Sequence, residues 1–256
     1  MFFAGDAYER FMGRWSRRLA PLLIDFGEVG AGQAVLDVGS GTGALTPAAL
    51  DVPGVRVTGV DPAPHYIDYA RDHVDDARVR FVLADARTLP FPDSTFDRAL
   101  SLLVLNFVPD PDRALREMIR VTRPGGVVAA AVWDYGHGME MLRAFWDEAV
   151  ALSPDAPDER GMPLSRDGEL AALWRLHGLD NIEETPLDIE MAFTSFDDYW
   201  QGFLGGQGPA GAFTAALTDP QRETLRTRLR DRLSPSEEGF TLRATAWAAR
   251  GAIRRQ

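Results

Sequence analysis

Between Ala34 and Leu45 the sequence reads Ala-Val-Leu-Asp-Val-Gly-Ser-Gly-Thr-Gly-Ala-Leu, and no other stretch constrains the fold as much. A short apolar run passes through Asp37 and then breaks into glycines at alternate positions, Gly39, Gly41 and Gly43. That pattern predicts a buried strand, a tight turn and the first turn of a helix. Glycine reaches positive φ without strain, and it has no Cβ to hold a ligand away from the backbone. A loop of this kind at the carboxyl end of a first strand is where doubly wound α/β sheets seat a nucleotide-like cofactor. Gly39-Ser-Gly-Thr-Gly-Ala44 satisfies both G-x-G-x-x-A and G-x-G-x-G, so the loop alone leaves the cofactor open.

Strand and helix signals alternate after the loop. Val55–Val60 predicts a second strand ending at Asp61-Pro62, and residues 63–74 a helix with Tyr66, Ile67 and Ala70 at helical spacing. Val79–Leu83 predicts a third strand running out at Asp85, and Phe96–Leu103 a fourth, almost wholly apolar as in a strand covered on both faces. Asp110-Pro111 is a helix start, with Leu115, Met118 and Ile119 on one face and a stop at Arg123-Pro-Gly-Gly126. Val127–Val132 is the fifth strand. Regular alternation of this kind means a parallel sheet with helices on both sides.

The remainder has a different texture. A helix is expected over 140–151, a proline- and acid-rich loop over 153–163, and a helix from Gly168 to His177 that Gly178 stops. Ile182–Phe193 alternates like a strand. Ser195-Phe-Asp-Asp198 opens a helix bearing Tyr199, Trp200, Phe203 and Leu204, and a further helix carries Leu225, Leu229 and Leu233. Thr241–Ala249 closes the series as a last strand. No internal repeat and no long linker interrupts the 256 residues, so a single domain is expected.

Two absences narrow the chemistry. The chain has no cysteine, which removes disulfides, thiolate nucleophiles and cysteine metal sites. It also has no lysine, so all 27 basic residues are arginine, and Schiff-base chemistry, a P-loop lysine and a lysine base are excluded. The net charge of −11 argues against nucleic acid as a partner. No apolar run is long enough to span a bilayer, and the amino end lacks a basic start followed by an apolar stretch, so a cytoplasmic location without membrane attachment is expected.

With Asp37, Asp61 and Asp85 all in view, the chain resembles the class I S-adenosylmethionine-dependent methyltransferases, in their small-molecule, type 11/25-like branch. The resemblance runs from about Tyr8 to Asp134. It rests on Val35-Leu-Asp-Val-Gly-Ser-Gly-Thr-Gly43, Val57-Thr-Gly-Val-Asp-Pro62, Phe81-Val-Leu-Ala-Asp85, Phe96–Val108 and Glu117-Met-Ile-Arg-Val-Thr-Arg-Pro-Gly-Gly126. The fold it implies is Rossmann-like and doubly wound. A mostly parallel seven-stranded sheet has an antiparallel last strand, with N-terminal helices and a helical insertion before that strand. The expected layout is lid helices over 1–30, a cofactor core over 33–135, and an acceptor half over 136–256 with its insertion at about 195–238.

A carboxylate at the end of the second strand can accept hydrogen bonds from two vicinal hydroxyls, so Asp61 suits an adenosine ribose in either cofactor class. The resemblance implies that Asp85 accepts from the adenine amino group; a helix N-cap is the ordinary alternative, and the two are compatible. Asp37 either lies near the methionyl end or braces the loop. By resemblance Ser40, Thr42, Pro62, Ala86, Leu102 and Arg14 join the glycines at S-adenosyl-L-methionine, whose product is S-adenosyl-L-homocysteine. Adenosylmethionine carries no phosphate, so the loop need not cradle an anion. Tyr8–Trp15 would form a lid, although Phe11 and Trp15 at helical spacing fit core packing equally well.

The family builds its methyl-transfer chamber at the end of the fourth strand, where this chain has Ser101-Leu-Leu-Val-Leu-Asn-Phe-Val-Pro-Asp110. Neither the Asn-Pro-Pro-aromatic motif of nucleic-acid amino methylation nor the paired glutamates of protein arginine methylation is present. Cysteine-dependent methylation is excluded, and with only Asn106 and Asp134 placed for it no metal is expected. Methyl transfer needs positioning and exclusion of water, and a general base only for a hydroxyl or acidic-carbon acceptor. His137 is the candidate base, and an ordinary loop histidine is the competing explanation. Trp133, Tyr135, Asn106, Trp200 and Phe203 are the candidate acceptor residues, with core packing as their alternative. The expected partner is a small-molecule acceptor, and the expected assembly a monomer or homodimer. The rivals are a nicotinamide oxidoreductase with the same loop and a cofactor-binding protein without turnover.

Overall fold

A computed structural model of the chain describes residues 8–236 and 238–255. Of the 1–30 segment expected to supply lid helices, residues 1–7 lie outside the described residues. A π-helical turn over Glu9–Gly13 leads into α1 (Arg14–Phe26), after which β1 (Ala34–Val38), α2 (Leu45–Leu50), β2 (Arg56–Asp61), α3 (Pro64–His73) and β3 (Val79–Leu83) alternate. β4 (Phe96–Leu102), α4 (Pro111–Val121) and β5 (Thr122–Trp133) complete that series. The chain continues through α5 (Glu140–Leu152), α6 (Glu169–Leu176), β6 (Asp180–Phe193), α7 (Phe196–Gln201), α8 (Gly208–Ala216), α9 (Asp219–Leu233) and β7 (Phe240–Ala252).

The strands form one seven-stranded sheet in the order β3-β2-β1-β4-β5-β7-β6, parallel from β3 to β5 and antiparallel at the end of the chain. This is the expected Rossmann-like arrangement. Strand order runs outward in opposite directions from β1 and β4, and the crevice at such a switch point is where open α/β sheets bind ligands. The glycine loop leaves β1 at that point.

Two compact units make up the chain. The first comprises Ser16–Val132, Pro163–Leu187 and the stretch from Ala246 onward. Its helices follow from local chemistry. In α4, Asp110 accepts a hydrogen bond from the Arg113 backbone N–H at 2.9 Å, Pro111 occupies the first turn, and Ala114, Leu115, Met118 and Val121 form the buried stripe. A side-chain cap of this type contributes about 1 kcal/mol. The sheet core is built by Val35, Leu36, Ala99, Leu100, Val128 and Ala130, all buried. Trp174 of α6 donates its indole N–H to the Val128 carbonyl at 3.0 Å, which satisfies a buried polar group from each partner.

β5 begins five residues earlier than its apolar run. Thr122 pairs with Phe96, but the next partners are Arg98 and Val127, so Arg123-Pro-Gly-Gly126 bulges out of the ladder. Pro124 has no N–H for the ladder and Gly125 sits at φ +78°, which is why the strand starts, bulges and resumes there.

The second unit comprises the segment ending at Trp15, Trp133–Met162 and Asp188–Thr245. Its core is aromatic. Phe203 stacks on Phe145 at 4.4 Å between ring centroids and meets Phe11 and Tyr199 edge-on. Phe193 packs on Trp15, Tyr199 and Phe240. Tyr199 donates its hydroxyl to the Met141 carbonyl at 3.0 Å, and burial pushes that phenol well above its usual range. The proline-rich loop is held to α5 by Trp146, whose indole N–H donates to Glu159 at 2.7 Å, and by Arg143 paired with Asp158 at 3.0 Å. No described helix is long and apolar enough to cross a membrane.

Candidate functional site

The glycine loop closes over the end of β2. The backbone N–H groups of Gly39 and Ser40 both donate to the Val60 carbonyl, at 2.8 and 2.9 Å. Gly41 then donates its N–H to Asp61 Oδ2 at 3.0 Å, while Ala63 donates to Oδ1 at 2.9 Å. Asp61 is therefore oriented by two backbone donors, one from the loop and one from the start of α3, and each oxygen retains acceptor capacity. Gly39 and Gly41 differ in what surrounds them. A Cβ on Gly39 would lie 2.4–2.8 Å from three atoms of Val104, whereas a Cβ on Gly41, at φ +51°, would have nothing within 4 Å. The loop is packed from beneath at its first glycine and open at its second.

Asp37, beneath the loop, is 1% exposed and Asp61 8%. Thr46 donates its hydroxyl to Asp37 Oδ2 at 3.5 Å. Burial, reinforced by the Asp61 charge and opposed by the Thr46 hydroxyl, pushes the Asp37 carboxyl up to about 7. Asp61 is also raised, by burial first, with its hydrogen bonds from Ala63 and Gly41 pulling it down. Neither carboxylate forms an ion pair with an arginine among the described residues. Two further polar side chains of this unit are buried without a partner among the described residues: the Ser40 hydroxyl, and both the oxygen and nitrogen of the Asn106 amide, a residue 5% exposed. Ser101, at the end of β4, donates to the Val38 carbonyl at 3.0 Å.

Asp85 lies two residues beyond β3 and begins no helix. It is clasped by Arg87, which donates its backbone N–H to Oδ1 at 2.8 Å and its guanidinium to Oδ2 at 2.6 Å. That guanidinium holds the carboxyl down at about 2. Ala86 and Leu102 are buried and Pro62 is exposed.

Asp37, Gly39, Ser40, Gly41, Thr42, Gly43, Asp61, Pro62, Asp85, Ala86, Leu102 and Asn106 thus all belong to the first unit, at or just past the carboxyl ends of β1 to β4. The other candidates belong to the second unit. Arg14 pairs with Asp198 at 2.8 Å and lies over the Trp15 ring. Trp133, Tyr135, Trp200 and Phe203 are at most 4% exposed and are packed as core. His137 is exposed in a turn, its backbone N–H donating to Asp134 at 2.9 Å. No cluster of three or more His, Asp or Glu suited to a metal occurs among the described residues.

A family model described as a methyltransferase domain matches residues 36–130, the stretch that carries the loop, Asp61, Asp85 and Asn106. Residues 36–130 thus match a methyltransferase domain. An uncharacterized methyltransferase of Mycobacteroides abscessus is 34% identical over 186 residues, 69% of this chain and 65% of that protein. The alignment spans 65% of the length of that relative and 42% of a Streptomyces halstedii methyltransferase that is 39% identical over 118 residues, 44% of this chain. Among solved structures, the YcgJ protein of Bacillus subtilis aligns with a TM-score of 0.59 at 20% identity, covering 93% of this chain and 99% of that one. Haemonchus contortus phosphoethanolamine N-methyltransferase 2, solved with phosphomonomethylethanolamine and S-adenosylhomocysteine, aligns at 0.57 with 22% identity over 98% of this chain and 56% of that one. Both likenesses concern the fold.

Sequence reasoning missed Thr46, Val104 and Arg87. Thr46 and Val104 act through long-range packing that no local pattern marks. Arg87 had a signal: Asp76-Ala-Arg78 and Asp85-Ala-Arg87 share one tripeptide and form the same clasp, with Arg78 donating to Asp76 at 2.7 Å.

Proposed function

We propose that the chain transfers a methyl group from S-adenosylmethionine to a small-molecule acceptor. One observation carries this reading: the glycine loop lies over two buried carboxylates, Asp37 and Asp61, with no arginine paired to either among the described residues. A pyrophosphate would meet repulsion there, whereas a ligand bearing an ammonium and a sulfonium relieves it. The residues fit that ligand. Gly41 opens on free space, Asp61 has acceptor capacity for vicinal hydroxyls, and the Ser40 hydroxyl is an unpartnered buried group a ligand would satisfy.

When bound, adenosylmethionine supplies an electrophilic methyl group for in-line displacement. The chain's own part is to bind, orient and exclude water. Asp61 fixes the ribose, and Asp37 is the carboxylate for the methionyl end. Asp85, Ala86, Pro62 and Leu102 are the residues that would hold adenine. The Asn106 amide, a buried donor and acceptor without a partner, orients the polar group of the acceptor. In the second unit Trp133, Tyr135, Trp200 and Phe203 are buried as core, and exposed His137 would be the base only for an acceptor that must lose a proton.

Titration calorimetry with S-adenosylhomocysteine and with NAD tests the reading. Saturable binding of S-adenosylhomocysteine without NAD binding is expected, and NAD binding alone overturns it. Cofactor binding with no transfer across a broad acceptor panel would leave a binding protein instead.

A further inference from the structure

Beside the candidate cofactor residues, the first unit has a basin of about 590 Å³ built largely from guanidinium groups: Arg87 from the loop after β3, and Arg113, Arg116 and Arg120 from α4. Positions 113, 116 and 120 are spaced three and four apart, so the helix presents them on one face. In a chain of net charge −11 the lining sets these four arginines against two carboxylates, Asp110 and Glu117.

The four arginines are not equally committed. Arg87 is paired with Asp85, and Arg120 with Glu117 and Asp93 at 2.7 and 2.8 Å. Arg113 bonds only neutral oxygens, donating to the Arg87 carbonyl at 2.8 Å and the Thr88 hydroxyl at 3.3 Å. Arg116 is exposed and has no hydrogen-bond or ion-pair partner among the described residues. Of the carboxylates lining the basin, Asp110 accepts from the Arg113 backbone as a helix cap and Glu117 accepts from the Leu89 backbone as well as from Arg120. Among the described residues Arg113 and Arg116 thus form no direct ion pair, although the charge of Arg113 is felt at Asp85 and Glu117, and Arg87 and Arg120 are held in ion pairs of their own.

We infer that this basin binds a phosphate group carried by a small molecule. A carboxylate is planar and is satisfied by one guanidinium fork, whereas a tetrahedral oxyanion accepts from several directions at once. Arg113 and Arg116 of α4, with the Thr88 hydroxyl of the loop after β3, supply such a set from two segments of chain. The volume is within the range of small-molecule sites. No part of this rests on adenosylmethionine binding, and the two can fail separately.

The test uses calorimetry on the full chain with inorganic diphosphate, inorganic phosphate and acetate, at ionic strength held equal with sodium chloride. Saturable binding in the order diphosphate, phosphate, acetate is expected. Arg116→Gln, at an exposed side chain without a partner, leaves the fold and S-adenosylhomocysteine binding intact and weakens diphosphate about tenfold, the effect of one charge-assisted contact. Arg113→Gln with Arg116→Gln weakens it further. Diphosphate binding no tighter than acetate, or unchanged in Arg116→Gln, overturns the inference. So does binding of an acidic polypeptide such as polyglutamate without binding of diphosphate, which would make the basin a protein-docking surface.

Discussion

The contrast between Gly39 and Gly41 can be turned into a measurement. In Gly41→Ala the new methyl group meets nothing within 4 Å, so the only structural cost is holding alanine at φ +51°. That cost is about 1–2 kcal/mol, which in a chain of this size lowers the melting temperature by roughly 2–8 °C. In Gly39→Ala the backbone is at φ +77° and the methyl group also lies 2.4–2.8 Å from Val104 Cβ, Cγ1 and Cγ2. Overpacking adds about 1–3 kcal/mol to the same backbone cost, so this variant is the less stable of the two. Pairing it with Val104→Ala removes the Cγ1 and Cγ2 clashes but keeps Val104 Cβ at 2.8 Å, so the double variant recovers only part of the overpacking cost.

Ligand binding should sort in the opposite way. The space above Gly41 is where the bound molecule approaches the backbone, so Gly41→Ala weakens S-adenosylhomocysteine about tenfold or more, the equivalent of overpacking a ligand contact by 1–3 kcal/mol. Thermal unfolding of the three variants, with calorimetric titration of each, provides the comparison. If Gly41→Ala keeps full affinity while folded, the open side of the loop is not the ligand's side. If Gly39→Ala is as stable as Gly41→Ala, the packing account of the loop is wrong.

Other residues make separate predictions. Asp61→Asn keeps the side chain's size but replaces one acceptor oxygen with a donor facing Gly41 or Ala63; S-adenosylhomocysteine affinity should fall by roughly 10- to 100-fold, and an unchanged titration would remove the ribose role. Asp37 has its carboxyl pushed up to about 7, so the native state holds a proton that the unfolded chain has lost. Stability from this group is therefore complete below about pH 4 and declines as pH rises toward 7, by about 4 kcal/mol in total. Urea midpoints across that range should show the decline in the wild type and a flatter profile in Asp37→Asn. Trp146→Phe removes the indole donor from buried Glu159 and should cost about 1–3 kcal/mol in urea unfolding, and Glu159→Leu in the same chain should recover most of it.

The architecture was legible because each early element carries its own local signature. The apolar run into Asp37, the proline at 111 behind its Asp110 cap and the glycines at alternate positions all depend on nearest neighbours. The sheet order then follows from right-handed crossovers. Legibility failed where two causes produce one pattern. Arg123-Pro-Gly-Gly126 reads as a helix stop, yet it is a bulge within β5, because Thr122 before it already pairs with Phe96. The aromatic spacing of Tyr199, Trp200 and Phe203 is the same whether rings face a ligand or each other, and here Phe203 faces Phe145, Phe11 and Trp200 while Tyr199 faces Phe193. A carboxylate at a strand end likewise says nothing of its own partner, which for Asp85 is an arginine two residues on.

That last difference separates the two strand-end carboxylates that a sequence pattern would treat alike. Asp85 is partly exposed, neutralised by Arg87 and held at about 2, so its charge is already compensated and a ligand gains only a neutral hydrogen bond from it. Asp61 is buried, raised by desolvation, oriented by two backbone N–H groups and close enough to Asp37 for its charge to be felt there. Desolvation and like-charge proximity have been accepted there without a compensating arginine among the described residues. A fold holds such a pair only when backbone donors fix it, as Gly41 and Ala63 do. The binding free energy of a cationic, hydroxyl-bearing ligand is therefore concentrated at Asp61 and Asp37, and substitution of Asp85 should weaken that ligand less than substitution of Asp61.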